Sequence, residues 1–427
     1  MKRGLIITYY WPPGGGAGVQ RWLKFARYLP ETGWEPVVLT VDPAYAQYPA
    51  TDETLLDDIA PRIQIHRTPA TNFFRLAGAG RKNIPSAGFA NREKKGVFDF
   101  ILRFIRGNFF IPDPRKGWNR YAFSKAAELI SRQEINVIIT SSPPHSTQLI
   151  GLKLKKRFPN LKWIADLRDP WTDIYYYNEF LHTPPARYLD ALYEKKVLSA
   201  ADRIITVGET LKEIFAAKVR GSEKKISVVT NGYDDDDFKG LVASTPQNFT
   251  ITYTGTVSPL YPLDSFTEAV KQILNTGREI KLRFAGFVSG ELREKITGSL
   301  PPSTVEFLPY VSHPEAIRLM LSSSALLLII PDHRNNGCII TGKIFEYIAA
   351  GKPVILVGPP GGDASDIILS TGAGMAFGYD NTLGIREYIL LLINGEFPVS
   401  ETSKEKYSRK SLTRKLADIL SEADRDN

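Results

Sequence analysis

Short apolar runs alternate with amphipathic stretches along this chain, in two separate series. In the first series, β-branched and apolar runs predict strands buried on both faces at 5–8, 36–41, 62–67, 137–140, 163–165 and 204–207. After the first run, Val19, Trp22 and Leu23 begin an apolar stripe with helical spacing, which predicts a helix over 19–29. The second series predicts strands at 250–254, 282–285, 305–308, 326–330 and 354–357, with helices at 265–274 and 314–321. Such alternation is typical of parallel sheets covered by helices.

The two series predict an α/β fold made of two doubly wound domains. We expect an N-terminal Rossmann-like domain at 1–230, a polar linker at 231–248, a C-terminal domain at 249–400 and a terminal segment at 401–427 that contains a charged amphipathic helix. Ligands of such sheets bind outside the carboxyl ends of the strands. The active site is therefore expected in the loops that follow the strands, in a cleft to which both domains contribute.

The net charge is divided unevenly between the predicted domains. Residues 1–230 carry 35 basic and 22 acidic side chains (+13), whereas residues 231–427 carry 19 and 24 (−5), which gives the +8 of the whole chain. This split indicates two surfaces with different partners.

The single cysteine, Cys338, cannot form an internal disulfide, and the longest purely apolar run, 325–330, is far shorter than the ~20 residues of a spanning helix. The first residues predict a strand rather than a signal peptide, so we expect a cytoplasmic protein.

A glycine-rich loop follows the first predicted strand. Residues 14–18, Gly-Gly-Gly-Ala-Gly, precede a helix, where backbone N–H groups and the helix dipole can face an anion, with Gly15 and Gly16 as the candidates. The loop is not a dinucleotide fingerprint, because Arg21 stands at the third glycine position, although Asp42 resembles the ribose-binding acid of such enzymes. A tight turn without a ligand is the alternative.

A second loop has the spacing of a P-loop. Residues 337–343, Gly-Cys-Ile-Ile-Thr-Gly-Lys, follow a predicted strand, but Ile344 replaces the hydroxyl that would hold magnesium. We therefore do not expect ATP hydrolysis here. Thr341, Gly342 and Lys343 remain suited to binding a diphosphate at a helix N-terminus.

Acidic residues cluster at two places. The run 234–237 offers the Asp-x-Asp spacings of metal-dependent sugar transferases, but it follows an Asn-Gly turn and is interpreted as a solvated linker. In 163–171, Trp-Ile-Ala-Asp-Leu-Arg-Asp-Pro-Trp, the side chains of Asp166, Arg168 and Asp169 follow a predicted strand, together with Trp171. They either pair with one another or orient the hydroxyls of a sugar.

Two further features bear on ligands and partners. His145 follows the strand at 137–140 and is expected on the ligand side, and no spacing among the five histidines suggests a zinc site.

Residues 97–111 combine aromatic and aliphatic bulk with basic flanks at Arg92, Lys94, Lys95, Arg115 and Lys116. This segment is either a core helix or a surface that rests on an anionic membrane. Nucleic acid is not expected as a partner.

The chain resembles the family-4 glycosyltransferases, retaining enzymes of the GT-B fold that use nucleotide-sugar donors, and in particular the bacterial branch that builds surface polysaccharides. The resemblance is carried by the segments 14–18, 163–171, 228–233, 253–256, 341–353 and 358–374, in this order. It implies that the N-terminal domain binds the acceptor, the C-terminal domain binds the donor, and the terminal helix crosses back to the N-terminal domain.

Site residues follow from the resemblance by position. Glu346 matches the glutamate that holds the donor's ribose, and Lys343 with the Gly342 backbone would lie near the diphosphate. Gly255 and Thr256 match the loop after the first strand of the donor domain, and His145 matches the family's histidine near the transferred sugar.

The chain departs from the family pattern at two points. The family's other glutamate would fall at position 338, where this chain has Cys338, and this departure puts recognition of the donor sugar in doubt. The basic residues that usually clamp the diphosphate are not evident in 257–262, so Lys343 and backbone N–H groups would carry more of that task.

The resemblance implies a metal-independent retaining transferase with no cofactor. Its catalytic residues would be His145, Asp166, Lys343 and Glu346. Its partners would be a nucleotide-diphosphate sugar, a saccharide or lipid-linked acceptor, and the anionic surface at the inner face of the cell membrane. The alternatives are a nucleotide-sugar epimerase or hydrolase of the same architecture, and a sugar-binding relative without catalysis.

Overall fold

The computed structural model describes residues 1–72, 96–396 and 404–425. The chain divides into two compact units. The first unit comprises Met1–Thr230 and Arg409–Asn427, and the second comprises Asn231–Ser408.

The described part of the first unit contains a parallel sheet of seven strands. These are β1 (Lys2–Ile7), β2 (Trp34–Val41), β3 (Gln64–Thr68), β4 (Val137–Ser142), β5 (Lys162–Leu167), β6 (Arg203–Thr206) and β7 (Ile226–Val228). Their order in the sheet is β3-β2-β1-β4-β5-β6-β7, so the direction of winding reverses between β1 and β4. Ligands of open parallel sheets bind at such a reversal.

Seven helices of the first unit frame this sheet in the described residues. They are α1 (Ala17–Tyr28), α2 (Gly96–Phe109), α3 (Asn119–Gln133), α4 (Gln148–Arg157), α5 (Pro184–Ala200), α6 (Glu209–Lys218) and, from the end of the chain, α14 (Arg409–Arg425). The terminal helix α14 buries Leu412, Leu416 and Leu420 in the same core as Trp22 and Phe25 of α1. The C-terminal segment is thus part of the first unit's hydrophobic core.

The described part of the second unit repeats the arrangement with six parallel strands. These are β8 (Phe249–Thr254), β9 (Ile280–Ala285), β10 (Val305–Leu308), β11 (Ala325–Ile329), β12 (Val354–Val357) and β13 (Gly374–Phe377), in the order β10-β9-β8-β11-β12-β13. The helices are α7 (Asp235–Phe238), α8 (Asp264–Leu274), α9 (Gly290–Ser299), α10 (His313–Leu321), α11 (Lys343–Ala350), α12 (Asp363–Thr371) and α13 (Thr382–Ile393).

Strand β11 illustrates why the second sheet is covered on both faces. Ala325, Leu327 and Ile329 belong to one core cluster, whereas Leu326 and Leu328 belong to the other. Because successive strand residues point to opposite faces, a continuous apolar run requires a core on each side. The predicted pair of doubly wound α/β units is confirmed.

The structure differs from the predicted elements in three places. Strands β7 and β13 were not predicted, and residues 231–248, expected as a linker, belong to the second unit. Tyr233 accounts for the last difference, because it is buried in the second unit's core, where Phe238 packs against it edge-on at 6.2 Å.

Candidate active site

In the first unit, the loops that follow β1 and β4 lie side by side. Ile7 of β1 is in register with Thr140 of β4, so both strands deliver their next residues to the same edge of the sheet. The glycine-rich segment follows β1 and His145 follows β4. This is the edge at which the winding reverses, where the fold places ligands.

A pocket of about 370 Å³ lies at this edge, and several predicted residues line it. Gly15, Gly16, His145, Asp169 and Trp171 all contribute to its wall. The other contributors include five residues of the segment 174–182, Arg106 of α2 and three residues of the segment 112–115 that follows α2. The structure therefore brings most of the predicted first-unit residues together around one pocket.

The glycine loop uses part of its hydrogen-bonding capacity within the protein. The N–H of Gly14 donates to the carbonyl of Trp11 and that of Gly15 donates to Ala50, both at 2.9 Å. Gly16 has a φ of 92°, a conformation that side-chain-bearing residues rarely adopt. The N–H of Gly15 is thus committed to a neighbouring loop rather than free to face an anion.

Asp166 lies beneath this edge and is completely buried. Its carboxylate accepts hydrogen bonds from Trp22 Nε1 at 2.7 Å, Ser141 Oγ at 2.8 Å and Arg21 Nη2 at 3.1 Å. Arg21, also completely buried, donates in addition to the carbonyl of Thr230 at 2.9 Å. Asp166 therefore joins α1 to β4, and no part of its side chain reaches the pocket surface.

Arg168 connects the two loops of this edge. Its Nη1 donates to the carbonyl of Gly18 at 3.1 Å and its Nε donates to that of Ser142 at 3.0 Å. The nearest oxygen of Asp166 is 3.9 Å from Nε, so the ion pair between them is long. Arg168 holds the glycine loop against the turn after β4.

His145 and Trp171 form a stacked pair in the pocket wall. Their ring centroids are 4.7 Å apart and their planes differ by 14°. Burial, followed by the charges of Lys218 and Arg168, lowers the pKa of His145 to about 3, so the imidazole is neutral at physiological pH. Trp171 Nε1 donates to Asp190 at 2.8 Å, and burial raises the pKa of Asp190 to about 7.

In the second unit, Lys343 lies at the start of α11 and turns toward the end of β8. Its Nζ donates to the hydroxyl of Tyr253 at 2.8 Å and lies 4.3 Å from the centre of that ring. Tyr253 in turn donates to the carbonyl of Thr256 at 2.9 Å. Burial, only partly offset by Glu346, lowers the pKa of Lys343 to about 8.

Gly255 makes room for this lysine. A Cβ at position 255 would lie 2.6 Å from Cε and 2.9 Å from Nζ of Lys343, and Gly255 has a φ of 107°. Two requirements, space and backbone conformation, thus select glycine here. The predicted Gly255, Thr256, Gly342 and Lys343 meet at one place in the second unit.

Glu346 lies one turn further along α11 and is partly exposed. Its Oε1 is 3.9 Å from Nδ1 of His313, whose Nε2 is 3.3 Å from Oδ2 of Asp237. The acidic run is therefore a short helix, α7, capped by Asp234 and held near α11. Within the described residues, no group of three or more His, Cys, Asp and Glu side chains is arranged to hold a metal ion.

Cys338 and Thr341 lie in the segment that leads into α11. Cys338 is buried and its sulfur lies 3.1 Å from the carbonyl oxygen of Asn335. The hydroxyl of Thr341 is buried without a hydrogen-bond partner among the described residues. Thr341 thus has an unused polar group next to Lys343.

Sequence reasoning missed several residues of the first-unit pocket. Arg106, Arg115, Tyr177 and Asp190 line it, although only Arg115 had been noted, as a flank of the 97–111 segment. Asp113 accepts hydrogen bonds from Ser146, in the turn after β4, so the sequence Asp-Pro-Arg at 113–115 lies at the ligand edge of the sheet. This short sequence is the signal that could have placed Arg115 near a ligand.

Helix α2 presents an apolar face to solvent. Its exposed side chains are Phe100, Ile101, Phe104, Ile105 and Phe109. The opposite face is held to the protein, because Arg103 donates to Glu179 at 2.9 Å and Gly107 packs against the backbone of Phe180. The predicted flanks Arg92, Lys94 and Lys95 lie outside the described residues.

Comparisons with known proteins agree with this architecture. Residues 14–237 match the family model described as Glycosyltransferase Family 4, and residues 248–394 match one described as Glycosyl transferases group 1. A search of curated protein sequences finds no relative that matches the chain.

Solved structures of similar fold cover nearly the whole chain at low identity. The apo form of the lipopolysaccharide outer core galactosyltransferase WaaB is 12% identical, with 99% of each chain covered and a TM-score of 0.61. The sucrose-phosphate synthase of Thermosynechococcus elongatus is 12% identical, with 100% of each chain covered and a TM-score of 0.62. The HepE protein of Anabaena, in complex with UDP and glucose, is 13% identical, with 99% of this chain and 97% of that chain covered and a TM-score of 0.54.

The first family match spans more than half of the 427 residues, and the chain belongs to glycosyltransferase family 4. Its two Rossmann-like units are those of the GT-B fold. Among the described residues, none of the helices is both long and apolar enough to span a bilayer.

Proposed function

We propose that this glycosyltransferase moves a sugar from a nucleotide-diphosphate sugar to a saccharide or lipid-linked acceptor, with retention of anomeric configuration and without a metal ion. The observation that carries the proposal is the position of the Lys343 ammonium, at the start of α11 and against Gly255 and Tyr253. A cation at a helix N-terminus favours a diphosphate.

The donor would bind in the second unit. The diphosphate would accept hydrogen bonds from Lys343 and from the unused hydroxyl of Thr341. Glu346, which is partly exposed one turn further along α11, would accept hydrogen bonds from the ribose hydroxyls. The solved HepE structure that holds UDP and glucose supports a nucleotide-sugar donor for this fold.

The chemistry would depend on stabilising the leaving group. The bond between the anomeric carbon and the diphosphate oxygen breaks, and its electron pair leaves with the diphosphate, where Lys343 and backbone N–H groups face the developing charge. The acceptor hydroxyl attacks the anomeric carbon from the same face. Its proton passes to the departing diphosphate oxygen, so no separate base is required.

The acceptor would occupy the pocket of the first unit. Trp171 offers an aromatic wall, and Asp169 and the neutral His145 line the same pocket. Because its pKa is about 3, His145 would act as a neutral hydrogen-bonding group near the transferred sugar. Asp166 and Arg168 would act as positioning residues, since their side chains hold α1 and the glycine loop in place.

A nucleotide-binding panel tests the donor assignment. Nucleoside diphosphates and nucleotide sugars would be screened for an increase in melting temperature, first with the wild type and then with Lys343→Gln and Glu346→Ala. Each variant is expected to bind the selected nucleotide at least tenfold more weakly, whereas Lys352→Gln, a matched lysine beyond the other end of α11, would bind it normally. If no nucleoside diphosphate stabilises the wild type, the proposal fails.

One observation favours a second candidate, a sugar-binding relative without catalysis. Cys338 is buried at the position where the family resemblance expects a glutamate that contacts the donor sugar. Restoring that residue as Cys338→Glu distinguishes the two. The second candidate would be supported if the wild type binds a nucleotide sugar without releasing the nucleoside diphosphate and Cys338→Glu does release it.

The exposed face of α2 supports a peripheral membrane location, which suits a lipid-linked acceptor and a role in surface polysaccharide synthesis. Exposed Phe100 and Phe109 would enter the headgroup region, while Arg103 and Gly107 hold the helix to the protein. The double variant Phe100→Ser and Phe109→Ser should lose flotation with anionic liposomes. Leu383→Ser, an exposed apolar residue of α13, serves as the control. A wild type that does not float at low salt would contradict this location.

A further inference from the structure

The first-unit pocket contains a buried arginine whose guanidinium has no partner among the residues that the structure describes. Arg115 is 7% exposed and lines the pocket. Its Nε is fully buried without a hydrogen bond, and no described residue accepts a hydrogen bond from its side chain or forms an ion pair with it. A buried charge without a partner is costly, so an unpaired guanidinium in a pocket wall points to a ligand.

Asp113, the acid whose charge acts on Arg115, does not accept a hydrogen bond from its side chain. Asp113 accepts hydrogen bonds from Ser146 N at 2.7 Å, from Ser146 Oγ at 2.9 Å and from the backbone N–H of Arg115 at 2.9 Å. Its carboxylate is therefore engaged in holding the turn after β4. Asp113 therefore supplies an opposite charge near the Arg115 guanidinium but no hydrogen bond to it.

A second arginine increases the positive potential of the same pocket. Arg106 lines it, with its guanidinium carbon 3.9 Å from the ring centre of Phe180. Both arginines line the same pocket, and burial and then the charge of Arg115 lower the pKa of Arg106 to about 10. Two like charges in one apolar pocket are stabilised by an anion that contacts both.

The acids of the pocket do not cancel this potential. Asp190 accepts from Trp171 Nε1 and from the hydroxyl of Tyr177, and its pKa of about 7 leaves it partly protonated at neutral pH. Burial also raises the pKa of Asp169. Asp113, the third acid of the wall, is engaged with Ser146 and with the backbone of Arg115, so the two guanidiniums are the cationic groups that an anion in this pocket would meet.

We propose that Arg115, together with Arg106, binds an oxyanion of the acceptor, and the acceptor is therefore an acidic molecule. The proposal rests on the assignment of this pocket to the acceptor. The oxyanion is a phosphate, as in a lipid-diphosphate-linked saccharide, or the carboxylate of an acidic sugar. Guanidinium groups bind both in the same bidentate way. The +13 charge of residues 1–230 agrees with an anionic partner.

Calorimetric titration of the full chain with inorganic phosphate and with methyl glucuronide tests the proposal. At least one probe should bind the wild type, and Arg115→Gln should weaken that binding about tenfold or more. Arg120→Gln, an exposed arginine at the start of α3, should bind as the wild type does. Phosphate binding alone would assign a phosphorylated acceptor, and glucuronide binding alone an acidic sugar.

Two further variants keep the outcome interpretable. If Arg115→Gln does not fold, Arg106→Gln should show the same loss. Lys343→Gln should retain the Arg115-dependent binding although it loses the nucleotide, so failure of the donor assignment is distinguishable from failure of this one. Equal affinity of the wild type and the folded arginine variants for both probes, or no binding of either probe to the wild type, would overturn the proposal.

Discussion

The ammonium of Lys343 lies 2.8 Å from the hydroxyl of Tyr253, directly above the position where Gly255 lacks a side chain. Strand β8 supplies the tyrosine, the loop directly after it supplies the glycine, and α11 supplies the lysine. The contact joins two segments that are about ninety residues apart in the sequence. It fixes a cation at the N-terminus of a helix, which is the feature on which the proposed donor site depends.

Substitution of Gly255 by alanine should remove this arrangement. The new Cβ would lie 2.6 Å from Cε of Lys343, so the lysine must move. We expect nucleotide affinity to fall at least tenfold, measured by calorimetry, together with a loss of about 1–2 kcal/mol in unfolding free energy from backbone strain.

Gly277→Ala is the matched control. Gly277 also has a positive φ, of 81°, but a Cβ there would meet nothing within 4 Å. This variant should show the loss of stability without the loss of affinity. Equal nucleotide affinity in both variants would contradict the role of Gly255.

Nucleotide affinity should depend on the charge of Lys343. Because burial lowers its pKa to about 8, the unliganded protein loses this positive charge as the pH rises through 8, and affinity for a diphosphate should fall there. A lysine with an ordinary pKa near 10.4 would keep its charge over this range. Calorimetry between pH 6.5 and 9.5 should show the decrease in the wild type and not in Lys343→Gln. A flat wild-type profile would contradict the assignment.

Asp166→Asn should be strongly destabilising, whatever its effect on activity. The substitution leaves the completely buried Arg21 without its counter-charge, which typically costs about 3–5 kcal/mol of unfolding free energy. Glu35→Gln, which breaks the exposed Arg3–Glu35 pair, should cost no more than about 1 kcal/mol. Denaturant unfolding measures both. If Asp166→Asn were as stable as the wild type but inactive, Asp166 would have a direct role in the chemistry.

Asp190 should make the stability of the protein depend on pH. Its folded-state pKa of about 7 lies above the ordinary value of 3.8, so the folded state keeps a proton that the unfolded state releases, and stability falls as the pH rises from about 4 to about 7. Asp190→Asn should lack this slope, whereas Asp57→Asn, at an exposed acid, should retain it. Parallel slopes for the wild type and Asp190→Asn would contradict the raised pKa.

The sequence predicted the sheets better than it predicted the pocket. The central strand β11 is a continuous apolar run and β4 begins with one, and the burial of both strands makes that signal strong. Strand β7 has only three residues, and β13 begins with Gly374, which is required because a Cβ there would lie 2.0 Å from the carbonyl oxygen of Val354. Short strands and strands with glycine lack the apolar pattern by which strands are recognised.

The candidate site residues of the second unit were predicted from a local motif and from the family resemblance. Lys343 was predicted from a P-loop-like spacing and Glu346 from the family resemblance, whereas Tyr253, which accepts a hydrogen bond from Lys343, was not predicted as a site residue since the contact is long-range. Asp166 was predicted next to the acceptor because it follows the predicted strand at 163–165, and the structure places it within β5, with Arg21, Trp22 and Ser141 around it. The burial of Arg115 likewise depends on tertiary packing that no local pattern reveals.

Product analysis shows whether the protein transfers a sugar with retention of its anomeric configuration. The nucleotide sugar selected by the binding panel would be incubated with the protein and candidate acceptors, and the products would be analysed by nuclear magnetic resonance. We expect release of the nucleoside diphosphate and a new glycosidic bond with the donor's anomeric configuration, both lost in Lys343→Gln. An epimerised nucleotide sugar, formed without an acceptor, or a product of inverted configuration would contradict this expectation.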